Sequence, residues 1–418
     1  MTDWLPLPGP PQGKDPQLLV LGASGRSTAE MAAREGLRPW VADRFRDWDL
    51  ARWCPGVQVK PYPAALIPLS EQFPQAPWLY TGAMENRPRL LEQLARRRPL
   101  AGNPPKVLAQ VRNPWWLAQV LRQAGLPAPE VYPRGETPLQ DGRWLLKPLG
   151  SAGGWGVKHW EPHTSARYDP ARHYFQRRVQ GEAASVLFLS GQEECRLLAC
   201  HGQWCGRAWA GARGFVYCGS WGPLLVDPPL ARQLEHLSAT LTRAAGLRGL
   251  WGADGVLTPE GFVPVEINPR VPASAEVLHL ARGVPLVRWH LAACGFSTVG
   301  VEWPPRLSPR QSSPGPLVAK AVLYARGNCR MPPALPQRLL ALGKTSIPGL
   351  PPQVQVACRD VPRPGSVFRA AEPVLSLLVA TPGNNSEPEL ESLVARAAQW
   401  VYDQLEPVPL RAGASRRR

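Results

Sequence analysis

The hydrophobic and polar positions of the first hundred residues predict alternating strands and helices. The apolar run at 17–21 predicts a buried parallel strand, the stretch at 27–35 a helix, and the run at 37–43 a second strand. A further strand at 77–82 and helices at 89–97 and 113–125 follow. The glycines at 22–25 lack the Gly-x-Gly-x-x-Gly spacing of dinucleotide-binding folds, so we interpret this β-α-β unit as scaffold rather than as an NAD site.

From residue 140 to 295 the pattern is rich in strands. Seven are predicted first, at 143–147, 155–160, 173–179, 183–189, 194–200, 203–211 and 214–219. A helix at 229–245 and strands at 250–257 and 262–267 come next. Beyond a proline-rich stretch at 300–315, strands near 317–325, 353–359 and 373–380 and a helix at 388–405 predict a small α/β end-piece.

Composition and charge exclude several functions. No run of eighteen uncharged apolar residues occurs, and residues 1–8 lack the basic and apolar regions of a signal peptide. We therefore expect a cytoplasmic protein without a membrane span. The chain has 418 residues, which predicts two or three domains, and a formal net charge of +16. Its basic residues are dispersed without an aromatic stacking platform, so we do not expect nucleic-acid binding.

Three of the eight cysteines recur at intervals of five residues. Cys195, Cys200 and Cys205 form this series, with His201 among them. Such a group can hold a metal, but no Cys-x-x-Cys spacing accompanies it. We therefore interpret these cysteines as positions along strands.

The loop after Lys147 is the first candidate for chemistry. Lys147 ends an apolar strand and is followed by Gly150, Gly153, Gly154 and Gly156. Glycines leave backbone N–H groups open to phosphate oxygens, and the ammonium group adds a point charge. The spacing differs from that of a P-loop. Taken alone, a glycine-rich hairpin turn with a surface lysine is the alternative.

Two acidic residues and an asparagine form the second candidate. Because residues two apart on a strand share a face, Glu266 and Asn268 project together while Ile267 faces the core. Strand pairing across the turn at 258–261 brings Asp254 beside them. Two carboxylates and an amide oxygen suit Mg²⁺ held jointly with phosphates. Acids paired with arginines at a strand end are the alternative.

Together these motifs resemble one superfamily. Lys147 with its glycine loop, Asp254, and the run Glu266-Ile-Asn268-Pro-Arg270 are similar to the ATP-grasp ligases, over roughly residues 18–295. The resemblance implies an α/β fold, with an α+β lid, that clamps ATP between two sheets. It also implies an ADP-forming reaction in which a carboxylate is activated as an acyl phosphate and then attacked by an amine.

The domain bounds follow from this resemblance. We expect a Rossmann-like domain at 1–105, an ATP-grasp domain at 106–300, a small α/β appendage at 301–410 and a disordered basic tail at 411–418. Within the ATP-grasp domain, the lid is expected at about 125–180 and the nucleotide and metal part at about 181–300.

The resemblance also assigns a role to each matching residue. Lys147 contacts the ATP phosphates, and Arg270 stabilises the transferred phosphoryl group or the substrate carboxylate, so these two are the expected catalytic residues. Asp254, Glu266 and Asn268 are the expected ligands of Mg²⁺, with Mn²⁺ as an alternative metal. The expected ATP-binding residues are Lys147, the loop residues Gly150, Ser151, Gly153, Gly154 and Gly156, the adenine-strand residues Gln176, Arg177, Arg178 and Val179, and the ribose acid Glu182.

One position departs from the family pattern. Many ATP-grasp enzymes carry an earlier phosphate-binding lysine, placed before a helix that ends in Gly-x-Pro. Here Arg112 occupies that stretch and is the candidate substitute cation, with a different geometry.

Several phrases resemble one branch of the superfamily, the group that contains the tyramine–glutamate ligase of methanofuran synthesis and relatives in bacterial one-carbon metabolism. They lie at 81–86, 102–105, 219–223 and 254–257. The expected partners are a small-molecule carboxylate and amine, amino-acid-like or cofactor precursors, and a homodimer is left open. Two alternatives also stay open: a biotin-carboxylase-like reaction on bicarbonate, and a nucleotide-binding regulatory protein without turnover.

Overall fold

The computed structural model describes residues 16–73, 75–163, 167–192, 194–298, 300–305, 315–342, 347–383 and 385–409. The basic tail predicted at 411–418 and part of the proline-rich stretch at 300–315 lie outside the described residues. Within these ranges, no helix is long and apolar enough to cross a membrane.

The N-terminal part contains a four-stranded parallel sheet and its helices. The elements are β1 (Leu18–Gly22), α1 (Arg26–Arg34), β2 (Pro39–Asp43), β3 (Gly56–Gln58), α2 (Leu66–Ser70), β4 (Trp78–Tyr80) and α3 (Pro88–Arg97). The strand order is β3-β2-β1-β4. The predicted β-α-β unit is confirmed, because β1 pairs in parallel with both β2 and β4. The carboxyl ends of these three strands therefore lie at one edge of the sheet.

Two helices lead from this sheet to a small antiparallel one. These are α4 (Pro105–Val111) and α5 (Pro114–Gln123). The Asn113 side chain caps α5 by accepting hydrogen bonds from the backbone N–H groups of Trp115 and Trp116 at 3.1 and 3.2 Å. The small sheet, called here the lid sheet, contains β5 (Trp144–Pro148), β6 (Lys158–His159) and β7 (His173–Arg177) in the order β6-β5-β7.

An eight-stranded antiparallel sheet forms the rest of the core. Its strands are β8 (Glu182–Ser190), β9 (Cys195–Cys205), β10 (Tyr217–Gly222), β11 (Gly249–Thr258), β12 (Gly261–Asn268), β13 (Leu317–Tyr324), β15 (Gln355–Arg359) and β17 (Pro373–Thr381). Their order is β12-β11-β8-β9-β10-β13-β17-β15. A three-stranded sheet contains β14 (Cys329–Arg330), β16 (Val367–Phe368) and β18 (Glu406–Pro407). The strands predicted near 317–325, 353–359 and 373–380 thus extend the same sheet that carries β11 and β12.

The pair of strands predicted at 194–200 and 203–211 is wrong. One continuous strand, β9, spans most of this region, and a 3-10 turn follows at Ala208–Ala210. Gly202 lies within β9 and packs closely against the Trp221 ring. A Cβ atom at this position would be 2.2 Å from Trp221 Nε1. The three regularly spaced cysteines all lie on β9, which confirms their interpretation as strand positions.

Helices pack around the large sheet. They are α6 (Pro228–Ala245), α7 (Ser274–Arg282), α8 (Leu286–Ala293), α9 (Leu335–Ala341) and α10 (Glu387–Tyr402). The predicted helices at 229–245 and 388–405 are confirmed as α6 and α10. Helices α7 and α8 escaped prediction. Since α7 is buried on nearly every side, its sequence lacks the alternation of apolar and polar faces that marks a surface helix.

Candidate active site

The hairpin of β11 and β12 brings two acids and an amide together. Asp254 lies directly opposite Glu266, and Asn268 is opposite Gly252. Asn268 Nδ2 donates a hydrogen bond to Asp254 Oδ2 at 2.7 Å. Ile267, between the two polar residues, is 1% exposed and belongs to the core. The juxtaposition expected from strand alternation is therefore confirmed.

Asp254 lacks an ion-pair partner within the described part of the chain. Its second oxygen, Oδ1, accepts a hydrogen bond from Gln203 Nε2 of β9 at 2.9 Å. Burial raises the pKa of Asp254, and the hydrogen bonds from Asn268 and other side chains only partly oppose that shift. An enclosed carboxylate that is held by neutral donors, with only the more distant charge of Arg270 to favour its ionised form, is costly unless a cation joins it. The alternative of an arginine-paired acid therefore does not apply to Asp254.

Glu266 is the more accessible of the two acids. Its side chain is 33% exposed, and its single ion pair among the described residues is a long one, 4.0 Å from Arg112 Nη2. Burial raises the pKa of Glu266, the charges of Lys147 and Arg112 lower it, and the neighbouring Asp254 raises it again. The all-oxygen donor set and the two neighbouring carboxylates both fit Mg²⁺.

Lys147 lies on β5 of the lid sheet, and its side chain reaches toward this hairpin. It is 9% exposed. Its Nζ donates to Gln176 Oε1 of β7 at 2.9 Å and lies 3.5 Å from the Val265 carbonyl oxygen of β12. A narrow cavity at this point is lined by Lys147 of the lid sheet, Glu266 of β12 and Arg112 at the end of α4. The predicted lysine and Glu266 therefore line one cleft, and Asp254 lies beside Glu266 on the neighbouring strand.

The glycine loop is seated against the segment before β10. Gly153, Gly154 and Gly156 have φ values of +63°, +74° and +83°. A Cβ atom on Gly154 would lie 1.9 Å from the Phe215 carbonyl oxygen. The backbone N–H of Tyr217 donates to the Gly153 carbonyl at 3.0 Å. Close backbone approach explains why glycine is required at position 154.

Arg112 connects the glycine loop to the acids. Its Nη2 donates to the Ser151 carbonyl oxygen at 2.8 Å and lies 4.0 Å from Glu266 Oε1. Its Nη1 is 3.4 Å from Glu85 Oε1. Arg112, the candidate substitute cation, thus lies at the same cleft as Lys147.

Arg270 is held by a residue to which the sequence assigned no role. Arg270 Nε donates to Glu85 Oε1 at 3.0 Å, and Nη2 donates to Asn268 Oδ1 at 3.3 Å. Glu85 follows β4 at the carboxyl edge of the N-terminal sheet and is 5% exposed. That position, an acid in the loop after a buried strand, was the available signal. Gln203 was missed as well, since a polar residue on a long strand carries no distinguishing pattern.

The residues expected to bind adenine begin on β7 of the lid sheet and continue into the segment that follows it. Gln176 is buried against Lys147, whereas Arg177 and Arg178 are exposed. The backbone N–H of Arg177 donates to the Glu130 carbonyl and that of Arg178 to the Arg143 carbonyl, both at 2.8 Å. Glu182 begins β8 and is exposed.

Comparisons with known proteins give a sequence-family match and a set of similar folds. Residues 111–274 match a sequence family described as the ATP-grasp domain, a span that includes Lys147, the glycine loop and the hairpin acids. No curated protein sequence matches the chain.

Three solved structures share the fold. The biotin carboxylase domain of the Hydrogenobacter thermophilus 2-oxoglutarate carboxylase has a TM-score of 0.65 at 11% identity, covering 88% of this chain and 87% of that one. The N5-carboxyaminoimidazole ribonucleotide synthetase of Thermus thermophilus has a TM-score of 0.63 at 16% identity, covering 92% and 98%. Biotin carboxylase from Campylobacter jejuni has a TM-score of 0.60 at 14% identity, covering 87% of each chain. The predicted ATP-grasp fold is thereby confirmed.

Proposed function

We propose that this chain is an ATP-dependent carboxylate–amine ligase that forms ADP and phosphate through an acyl phosphate. The observation that carries the proposal is the cleft that Lys147, Arg112 and Glu266 line together. Asp254 lies opposite Glu266 in the hairpin, and Arg270 donates a hydrogen bond to the adjoining Asn268. Three cations beside a magnesium-type oxygen cluster suit a polyphosphate that transfers its terminal phosphoryl group.

Asp254, Glu266 and Asn268 would hold the metal. When bound, Mg²⁺ neutralises phosphate charge and orients the terminal phosphoryl group. The Asn268 amide now presents Nδ2 to Asp254. Rotation of this amide by half a turn would present its oxygen to a shared cation, at the expense of the contact between Arg270 and Asn268 Oδ1.

The remaining phosphate charge falls to Lys147, Arg112 and the loop amides. Lys147 offers an ammonium group between the two sheets, and Arg112 supplies the guanidinium in place of the earlier lysine of many relatives. Arg112 also donates to the Ser151 carbonyl, so it ties the loop to the cleft. Closure of this loop keeps water from the reactive mixed anhydride.

The reaction consists of two displacements. A substrate carboxylate oxygen attacks the terminal phosphorus of ATP, and the bond to the bridging oxygen of ADP breaks. Arg270 is placed to stabilise the negative charge of the transferring group. The amine then attacks the acyl carbon, phosphate leaves with the bonding electrons, and the nitrogen releases a proton to solvent.

Adenine and ribose are assigned to the segment that connects β7 to β8 and to the first residue of β8. Within the described ranges, no backbone hydrogen bond involves Val179, so its N–H and carbonyl groups can read the adenine edge. The neighbouring amides of Arg177 and Arg178 are already used. Glu182 is accessible for the ribose hydroxyl groups. Phrases shared with the methanofuran-related branch support a small amino-acid-like or cofactor-precursor substrate.

The test is nucleotide release with a panel of small acids and amines, in the presence of Mg²⁺ and ATP. We expect ADP and phosphate only when both an acid and an amine are present. Glu266→Gln should lower turnover by at least about a hundredfold, because it replaces a charged carboxylate ligand of the metal with a weaker, neutral amide. Release of AMP would overturn the mechanism.

A matched control lies on the same hairpin. Glu260 is exposed in the turn between β11 and β12, so Glu260→Gln should leave turnover within about twofold of wild type. Equal turnover of the Glu266→Gln and Glu260→Gln variants would contradict the metal assignment.

A further inference from the structure

A second cavity, of about 870 Å³, opens beside the glycine loop. It lies at the carboxyl edge of the N-terminal parallel sheet, where loops after β1, β2 and β4 meet. Its lining is mainly polar and includes Arg44, Lys60, Tyr62, Asn86, Arg87 and Gly150. Open α/β sheets bind ligands at this edge.

The three cations of this cavity have no acidic partner. Among the described residues, Arg44, Lys60 and Arg87 form no ion pair, whereas Arg112 and Arg270 in the neighbouring cleft share Glu85. The Arg44 guanidinium lies 5.5 Å from the centre of the Phe45 ring, a contact that leaves its charge uncompensated. Three unpaired cations around one cavity repel one another until an anion joins them.

Tyr62 adds a neutral donor to the same wall. Burial raises the pKa of Tyr62 to about 12, and the charges of Arg87 and Arg44 act in the opposite direction. The phenol therefore stays protonated at neutral pH. Its one described hydrogen bond is a weak contact to Met84 Sδ at 3.5 Å, so the hydroxyl group is available to a ligand.

The cavity borders the proposed reaction centre, because Gly150 lines the cavity while its chain neighbours Leu149 and Ser151 line the cleft with Lys147. Glu85 points to Arg270 and Arg112, while Arg87, two residues later, lines the cavity. On the opposite wall, Gly150 belongs to the glycine loop, and a Cβ atom there would lie 4.0 Å from Asn86 Oδ1. A ligand held by the cations can therefore reach the phosphate loop at its other end.

We propose that this cavity binds the acid substrate of the ligase through a second anionic group, either a carboxylate or a phosphate. This inference rests on the proposed function. The reacting carboxylate would lie near Gly150, and the additional anion would contact Arg44, Lys60 and Arg87. Guanidinium groups suit both carboxylate and phosphate oxygens, which they bind through paired N–H donors.

The positive charge of the cavity also disfavours binding of the amine substrate there. A primary amine is a cation at neutral pH, and three unpaired cations repel it. The acid therefore occupies the cavity, and the amine approaches the acyl phosphate from elsewhere.

The test is calorimetric titration of the full chain, without nucleotide, with three probes: propionate, glutarate and 3-phosphoglycerate. We expect at least about tenfold tighter binding of glutarate or 3-phosphoglycerate than of propionate, and the tighter of these two probes identifies the second anionic group. Arg87→Gln and Lys60→Gln should each weaken that binding about tenfold. Arg89→Gln, which removes an exposed cation outside the cavity, should leave it unchanged.

Equal affinity for propionate and the dianionic probes, or equal affinity of the Arg87→Gln and Arg89→Gln variants, would overturn the inference. Titration of the same wild-type sample with MgADP separates this result from the proposed function. Normal MgADP binding with no preference for dianions removes the substrate assignment alone. Absence of MgADP binding removes the proposed ligase, while the dianion titration still reports on the cavity.

Discussion

The Glu85 carboxylate accepts a hydrogen bond from Arg270 Nε at 3.0 Å, although the two residues are 185 positions apart. The same carboxylate oxygen lies 3.4 Å from Arg112 Nη1. Glu85 belongs to the loop after β4 in the N-terminal sheet, whereas Arg270 follows the metal hairpin. One acid from the N-terminal sheet thus positions two cations of the proposed phosphate site, and it links placement of that sheet to the geometry of the cleft.

Glu85→Gln tests this positioning role. The substitution keeps the size of the side chain but removes the charge that orients Arg112 and Arg270. We expect kcat to fall about tenfold or more, since charge-paired groups that lose one partner are usually displaced. The KM for ATP should change less than about threefold, because Lys147 and the loop amides remain. Steady-state ADP release measures both parameters.

Glu92→Gln is the control for that variant. Glu92 pairs with Arg96 at 2.7 Å on the exposed face of α3, so its replacement should leave kcat within about twofold. A Glu85→Gln enzyme with an unchanged kcat would show that the two arginines need no acid to hold them.

Gly154→Ala should weaken nucleotide binding. A Cβ atom at this position would lie 1.9 Å from the Phe215 carbonyl oxygen, so the glycine loop would be displaced from its contact with residue 215. We expect the Kd for MgADP, measured by calorimetry, to rise about tenfold. Gly135→Ala is the matched control: Gly135 also has a positive φ, +88°, but nothing lies within 4 Å of its Cβ position. Equal Kd values for the two variants would contradict the proposed role of loop seating.

The candidate site residues that were predicted from the sequence belong to short, continuous stretches of the chain. Lys147 precedes its glycine loop directly, and the register between Asp254 and Glu266 follows from a short hairpin turn. Glu85 and Gln203 reach the same cleft only through the tertiary fold, so no spacing in the sequence relates them to the acids. Their contacts with Arg270 and Asp254 join residues that are far apart along the chain and on different strands or loops.

The fold shows the same division between local and long-range information. Strand β1 is apolar along its length and was predicted, whereas a buried ionic cluster around Arg26 was not. Arg26 lies on α1 and is fully buried, and its guanidinium donates to Asp360, 334 positions away, at 2.8 and 3.0 Å. It also contacts Glu30 and Glu276. A single arginine near the start of the chain therefore neutralises acids from three separate segments, which no sequence pattern reveals.

Arg26→Met should destabilise the protein strongly. Methionine fills much of the same volume but leaves Asp360, Glu276 and Glu30 without their shared cation. Removing one partner of a buried charge cluster costs about 3–5 kcal/mol. We expect a fall of that size in the free energy of unfolding, measured by urea denaturation. Arg97→Met, which breaks an exposed ion pair with Glu71, should cost less than about 1 kcal/mol.

A comparable loss for the Arg26→Met and Arg97→Met variants would mean that the buried acids find other compensation. Lys320 is the available candidate, because its Nζ lies 2.6 Å from Glu276 Oε2. Arg359 is the second, at 2.8 Å from Glu30 Oε2.

Titration of Glu35 should make the free energy of unfolding decrease as pH rises. Its two carboxylate oxygens accept hydrogen bonds from the backbone N–H groups of Val287 and Arg288 in the first turn of α8, at 3.0 and 2.7 Å. Burial nevertheless raises the pKa of Glu35 to about 7. An exposed glutamate has a pKa of about 4.3. Between these values the folded chain retains a proton that the unfolded chain has released.

Stability should therefore fall as pH rises through that window, by on the order of 3 kcal/mol for this residue. Glu35→Gln cannot titrate, so we expect the stability of wild type relative to the variant to decrease between about pH 4.5 and pH 7.5. Urea denaturation of both proteins at closely spaced pH values measures this difference. Glu136→Gln, at an exposed glutamate in the loop before β5, should show no such trend against wild type. A difference between wild type and Glu35→Gln that is constant with pH would mean that the two backbone hydrogen bonds offset the burial of the charge.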